Sequence, residues 1–257
     1  MRDIAVSAAR EGGRILMQKF GRALKVHHKG EVDLVTEADR AAEDAIVSMI
    51  HHTFPRHDIL AEEGEYSSHG SNYLWIIDPL DGTTNYAHGF PWFAVSIALA
   101  VADEITLGVV YNPFHREFFI AEKGKGAFLN DIELRVSKTD RLDHSLLATG
   151  FSYDRKTSPV NNYDHFVNFQ QAARACRRTG SASLDLAYTA SGRLDGFWEM
   201  KLKPWDMAAG VLMVQEAGGR VTDFDQAPLQ LHGQECLASN GIIHDAMSRI
   251  LQRGKRP

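Results

Sequence analysis

One segment constrains this chain more than any other: Leu74-Trp75-Ile76-Ile77-Asp78-Pro79-Leu80-Asp81-Gly82-Thr83-Thr84-Asn85-Tyr86. Its first four residues are an apolar run with the pattern of a buried strand, and the run leads straight into two acids. Pro79 fixes its own φ and has no amide to donate, so the chain is expected to turn there. The turn would aim Asp78, Asp81 and the Leu80 carbonyl off the end of a sheet. Carboxylates with a carbonyl are hard oxygen donors, the set that Mg²⁺ or Ca²⁺ prefers. Gly82-Thr83-Thr84 then offers amides that can open a helical turn and hold phosphate oxygens. A plain surface turn is the competing reading, since Asp-Pro and Asp-Gly turn without any ligand and Thr can cap a helix. Acids beside a buried strand weigh against it, because unpaired charges near a core are costly.

The rest of the chain sets the frame. With 257 residues, 44% of them apolar and 24% charged, the chain has the makings of a soluble globular protein with a sizeable core. One unit is expected over 1–257, with helices on an antiparallel sheet in 1–140 and an α/β half in 141–257. A formal net charge of −5 argues against a nucleic-acid or membrane surface. The two cysteines, Cys176 and Cys236, form no Cys-x-x-Cys pair, so zinc or redox work is not expected. No signal-peptide layout opens the chain, and no apolar run is long enough to span a bilayer, which points to the cytoplasm.

Periodicity places further acids at element ends. A first helix is expected through Ile4, Ala8, Ile15, Leu16 and Phe20, followed by a hairpin or loop over 25–33. Thr36-Glu37-Ala38-Asp39 begins a second helix, and a capping box explains Asp39 without any chemistry. His51, His52 and His57 at its exit read as solvent-facing. Residues 59–61 form a strand that enters Glu62-Glu63-Gly64. If that strand neighbours 74–77, the carboxylates of Glu62 and Asp78 converge. Strands follow at 94–102, 105–111, 117–121 and 127–129, with Lys123-Gly124-Lys125-Gly126 read as a turn. In the second half a strand is expected at 146–149 and a helix at 162–176. Ser183 is expected to cap a helix over 184–191. A strand at 196–200 carries Glu199, and a helix from Pro204-Trp205-Asp206 runs to Glu216. Strands at 220–224 and 235–238 and a helix at 242–251 complete the chain.

The acidic stations Asp39, Glu62-Glu63, Asp78/Asp81 and Asp206, in this order, resemble those of the inositol monophosphatase family of lithium-sensitive, Mg²⁺-dependent phosphatases. The likeness rests on 33–39, Ala61-Glu62-Glu63-Gly64, the run from Asp78 to Asn85, Lys203-Pro204-Trp205-Asp206-Met207-Ala208-Ala209-Gly210 and the glycine pair Gly218-Gly219. It implies a layered α-β-α-β-α sandwich, an α+β fold like that of fructose-1,6-bisphosphatase, and a homodimer. It also implies Mg²⁺ as cofactor, two or three ions per site. Glu62, Asp78 and the Leu80 carbonyl would hold one ion, and Asp78, Asp81 and Asp206 a second. Asp39 and Thr83 would polarise the attacking water, while the Gly82 and Thr83 amides hold the phosphate. Ala182 and Glu199 would meet inositol hydroxyls, with Asp33, Glu63 and Lys29 near the site or a third ion. The implied reaction is hydrolysis of a phosphate monoester, foremost myo-inositol 1-phosphate, by in-line attack of a metal-activated water without a phosphoenzyme. Fructose 1,6-bisphosphate, 3′-phosphoadenosine 5′-phosphate and histidinol phosphate are the alternative substrates, and a non-catalytic metal-binding scaffold is the alternative class.

Overall fold

The structure is a computed structural model that describes residues 1–21, 26–28, 34–64, 66 and 68–253, with the backbone alone for 26–28 and 34–36. In chain order the first half contains α1 (Arg2–Lys19), β1 (Val26–His28), β2 (Leu34–Thr36), α2 (Glu37–Thr53), β3 (Asp58–Ala61), β4 (Tyr73–Asp81), α3 (Thr83–Ala87), β5 (Ala94–Val101), β6 (Glu104–Asn112), β7 (Glu117–Glu122), β8 (Gly126–Leu129) and β9 (Ile132–Glu133). The second half contains β10 (Leu146–Thr149), α4 (Tyr163–Ala172), β11 (Ala175–Arg177), α5 (Ala182–Ala190), β12 (Gly196–Met200), α6 (Pro204–Glu216), β13 (Arg220–Thr222), β14 (Glu235–Ser239) and α7 (His244–Gln252).

Strands β3 to β9 form a seven-stranded sheet in sequence order, and a five-stranded sheet runs β11-β10-β12-β14-β13. The larger sheet is antiparallel except between β3 and β4, which are parallel. The period-2 alternation of a strand divides β5 between two cores. Val95, Ile97 and Leu99 face the cluster that holds Ala8, Leu16, Ala42 and Ile46 of α1 and α2. Ala94, Ala98 and Ala100 face the cluster that holds α5 and α6. A third cluster, with Phe169, Trp198, Leu237, Met247 and Leu251, lies between the smaller sheet and α4 with α7. The layers therefore run helix, sheet, helix, sheet, helix, as the resemblance implies.

The small side chains on the inner face of β5 let α6 lie close to the sheet. Ser96 Oγ donates to the Trp205 carbonyl at 3.3 Å. A Cβ on Gly108 of β6 would stand 2.8 Å from the Ala209 carbonyl oxygen. This approach brings the first turn of α6, with Asp206, toward the end of β4.

Four local expectations are corrected. The chain does not turn at Pro79: β4 continues to Asp81, and its register with β5 shifts between Asp78 and Asp81. β3 has already ended opposite Ile77, and the irregularity tolerates a residue without an amide donor. The helix expected over 162–176 stops at Ala172, because Ala175–Arg177 pairs in parallel with β10. Helix α5 begins at Ala182 with Ser181, not Ser183, at its cap. His57 is not solvent-facing: it stacks on Phe54 at 4.6 Å and Tyr73 at 4.4 Å, and its Nδ1 accepts from Trp75 Nε1 at 3.1 Å. Both cysteines are free and buried.

Candidate active site

Parallel pairing of β3 and β4 sets Ala61 beside Ile77, and the Glu62 amide continues the ladder to the Ile77 carbonyl at 3.2 Å. Glu62 therefore leaves β3 next to Asp78 of β4. The buried Glu43 of α2 secures this exit, accepting the Glu63 amide at 3.0 Å and the Tyr66 hydroxyl at 2.9 Å. Within the irregular end of β4 the Leu80 amide donates to Asp78 Oδ1 at 2.9 Å, closing a small loop. Gly82 follows with φ +98°, a left-handed conformation that opens α3. A Cβ there would also stand 2.9 Å from the Trp92 carbonyl oxygen. No side-chain cap covers the start of α3.

Two long-range contacts and one local one complete the site. Thr83 Oγ1 can donate to the Leu80 carbonyl at 3.0 Å or to Asp39 Oδ1 at 3.2 Å. Asp39 is thus more than a helix-capping residue; it is buried beneath Thr83. Asp81 Oδ2 accepts Ser181 Oγ at 2.7 Å, the Ser183 amide at 2.8 Å and Ser183 Oγ at 2.5 Å. The start of α5 is in this way bolted to the end of β4. Asp206 Oδ2 accepts the Lys203 amide at 2.7 Å, which fixes the carboxylate at the first turn of α6.

Glu62, Asp78, Leu80, Asp81, Gly82, Thr83, Ala182, Glu199 and Asp206 all line one cavity of about 370 Å³. Its electrostatics are those of crowded acids. Burial, then the charges of Glu62, Asp81 and Asp206, push the Asp78 carboxyl well above its usual range. Asp81 is raised by burial against the opposing hydrogen bonds of Ser183 and Ser181. Asp206 is pushed up to about 7 by burial, offset by the Lys203 amide and aided by Asp81. Glu199 is raised strongly by burial, then by Asp206 and Asp185. Among the described residues these donors do not close into a ready cluster of three or more side chains. They ring the cavity instead, together with the Leu80 carbonyl. The donor set nevertheless fits a hard divalent cation: it is all oxygen and carries excess negative charge that a cation relieves.

Of the remaining expected residues, Asp39 and Glu63 are absent from the cavity wall, Asp39 reaching it only through Thr83, and Lys29 and Asp33 lie outside the described residues. Several wall residues had no sequence signal. Ser181 carries none, and Ser183, just behind the wall, reads from sequence as a cap only. Asp185 is buried, hydrogen-bonded by Thr179 Oγ1 at 2.6 Å and pushed well up by burial. Gly150 has its Cα so close to Glu199 that a Cβ would stand 2.1 Å from Oε1.

Comparison with known proteins agrees with this geometry. The sequence model of the inositol monophosphatase family matches residues 1–255. The chain is 47% identical to an inositol-1-monophosphatase of Synechocystis sp. over 97% of its own length and 88% of that protein's. It is 44% identical to the Nus factor SuhB of Pseudomonas aeruginosa, covering 98% of this chain and 96% of that one. A crystal structure of the extragenic suppressor protein suhB from Bartonella henselae superposes with a TM-score of 0.93 at 42% identity, covering 99% of both chains. The chain belongs to the inositol monophosphatase family and is, like the members of that family, a phosphatase that hydrolyses phosphate monoesters.

Proposed function

We propose that this cavity hydrolyses the phosphate ester of a small polyol, myo-inositol 1-phosphate foremost, with Mg²⁺ as its cofactor. The observation that carries the reading is the shared cavity: the carboxylate ring, Thr83 and Glu199 line one space, and Thr83 bonds to the buried Asp39 behind it. Glu62, Asp78, the Leu80 carbonyl, Asp81 and Asp206 would hold the ions, and family members are metal-dependent. Mg²⁺ supplies charge neutralisation for the phosphate oxygens and makes water a better nucleophile at neutral pH.

The chain's own groups do the rest. The Thr83 hydroxyl lies within reach of both Asp39 and the Leu80 carbonyl; when its proton is given to Asp39, its lone pairs accept the proton of the attacking water. The Gly82 and Thr83 amides at the open start of α3 orient the phosphate. Glu199 and the Ala182 backbone receive hydroxyls of the leaving alcohol. Positioning and neutralisation suffice for such a transfer, and no covalent phosphoenzyme is needed. Because the cavity draws on both 1–140 and 141–257, through the Asp81 contacts with Ser181 and Ser183, we treat the chain as one functional unit. The proposal extends to a cytoplasmic homodimer inhibited by Li⁺, with Lys29 and Asp33 near the site as the resemblance implies. Among the described residues no helix is long and apolar enough to cross a membrane.

The test is phosphate release from myo-inositol 1-phosphate, fructose 1,6-bisphosphate, 3′-phosphoadenosine 5′-phosphate and histidinol phosphate, with and without Mg²⁺ and Li⁺. Fastest Mg²⁺-dependent release from the inositol ester supports the reading, and a different best substrate moves the role of Glu199. The name of the Pseudomonas relative, a Nus factor, favours a second role outside catalysis. Asp206→Asn separates the two, since it removes turnover and spares a partner-binding role.

A further inference from the structure

Beyond the smaller sheet, the segments leaving β10 and β12 form the outer wall of the cavity, and one ion pair ties them together. The two strands are parallel neighbours, with Thr149 beside Trp198. Past that point 150–153 and 200–203 both line the cavity. Lys201 Nζ reaches across to Asp154 Oδ2 at 2.6 Å and to Ser158 Oγ at 2.8 Å. Asp154 in turn gathers the segment around itself: Oδ1 accepts Ser152 Oγ at 2.6 Å, and its carbonyl accepts the Ser158 amide at 2.9 Å. Lys201 and then Ser152 hold the Asp154 carboxyl below its usual range. Lys201 has φ +62°, a backbone that glycine adopts without strain. What a lysine adds there is its ammonium.

We propose that Asp154 is a positioning residue that, through Lys201, holds 150–158 as the wall facing the leaving alcohol. It thereby sets the affinity for bulky alcohols and leaves phosphate cleavage itself unchanged. The proposal rests on the phosphatase reading above for the placement of the alcohol beside Glu199. The wall starts at that point, because Gly150 lies against the Glu199 carboxylate. Phe151 and Tyr153 extend it outward, Phe151 braced by the rings of Tyr163 at 5.2 Å and Phe166 at 5.6 Å. Asp154 itself is not in the wall and acts only through Ser152 and Lys201, which are.

Asp154→Asn and the conservative Asp154→Glu, which keeps the charge facing Lys201, test this in the full chain. The probes are myo-inositol 1-phosphate and the smaller glycerol 2-phosphate, with hydrogen exchange over 151–161 read on the protein without substrate. Asp154→Asn is expected to raise KM for the ring ester about fivefold, the scale of one half-exposed ion pair. The kcat values, and KM for the glycerol ester, should stay within about twofold, inside the spread of ordinary surface changes. Exchange over the segment should quicken in Asp154→Asn, and Asp154→Glu should keep both exchange and KM near the wild-type values. Unchanged exchange overturns the latch, and quickened exchange with an unchanged ring-ester KM overturns its role in affinity. If the wild type releases nothing from the inositol ester, that substrate assignment fails separately. The KM comparison then uses the bulkiest ester the wild type hydrolyses, while exchange still decides the latch.

Discussion

Gly150→Ala should damage recognition of the alcohol without touching the phosphate end of the cavity. The added Cβ would stand 2.1 and 2.2 Å from the two Glu199 carboxylate oxygens and 2.4 Å from Cδ. Real carbon–oxygen contacts are longer by about 1 Å, so something must move. Glu199 sits on the rigid centre of a sheet, between β10 and β14, but its carboxylate is the far end of a flexible side chain. The side chain therefore leaves its rotamer, at a cost of about 0.5–1.5 kcal/mol, while the backbone stays. Folding stability falls only by that amount. Recognition suffers more, because hydrogen bonds to a charged group are worth about 1.5–3 kcal/mol each, and losing one lowers kcat/KM for a polyol phosphate about 10- to 100-fold. An ester without hydroxyls, such as p-nitrophenyl phosphate, should lose less than about threefold, since no group beside its phosphate moves. Steady-state kinetics on both esters, with a thermal melt as control, reads all three quantities. Equal losses on the two esters would refute the assignment of Glu199 to the alcohol.

Other consequences follow from the same contacts. Gly82→Ala forces a Cβ into a left-handed conformation at φ +98° and within 2.9 Å of the Trp92 carbonyl oxygen. It should cost about 2–4 kcal/mol in urea unfolding, since backbone on both sides must give; a loss under about 0.5 kcal/mol contradicts that geometry. Ser183→Ala removes a hydroxyl that orients Asp81 and should weaken Mg²⁺ binding about tenfold by calorimetry, as loss of a supporting hydrogen bond does; unchanged affinity places Asp81 outside the ion site. His244 is fully buried between Thr222 and Ser239, and burial, with Arg220 nearby and Asp245 opposing, lowers its pKa to about 4. The unfolded chain then binds the proton more readily, so this stability is complete above pH 6.5 and is lost as pH falls from 6.5 to about 4. The loss from this group should reach roughly 2 kcal/mol after allowance for solvent screening. Because the raised carboxyls of the cavity act in the opposite sense over the same range, it is read as the difference in urea stability between wild type and His244→Gln, and a difference that does not change with pH would contradict it.

Much of the site was legible because its chemistry is carried by short local patterns. An apolar run ending in acids located β4, and a second one located Glu62. Their convergence needed only the parallel pairing of neighbours. Helix α6 and its acid at the third position were also plain, since Pro204 opens the helix and Gly218-Gly219 follows its end. What stayed hidden depends on contacts far apart in sequence. Ser183 is a cap by local pattern, yet its hydroxyl is spent on Asp81, 102 residues away. The turn expected at Pro79 fails because the strand's neighbour on one side has already ended. Ala175–Arg177 follows a helical apolar pattern but is claimed by the edge of β10. His57 is polar by type and becomes part of an aromatic stack, a matter of tertiary packing that no local pattern records.

The central claim is that the buried acids of the cavity serve a cation and the phosphate, at the expense of the protein without metal. Asp78→Asn tests it most directly. Asn can still accept the Leu80 amide, but it removes a charge that burial and three neighbouring carboxylates oppose. Two quantities should move in opposite directions: Mg²⁺-dependent phosphate release falls about 10³-fold, the scale of a few kcal/mol of lost charge stabilisation, while the metal-free melting temperature holds or rises. Retained phosphate release in this variant, with the fold intact, would contradict the claim.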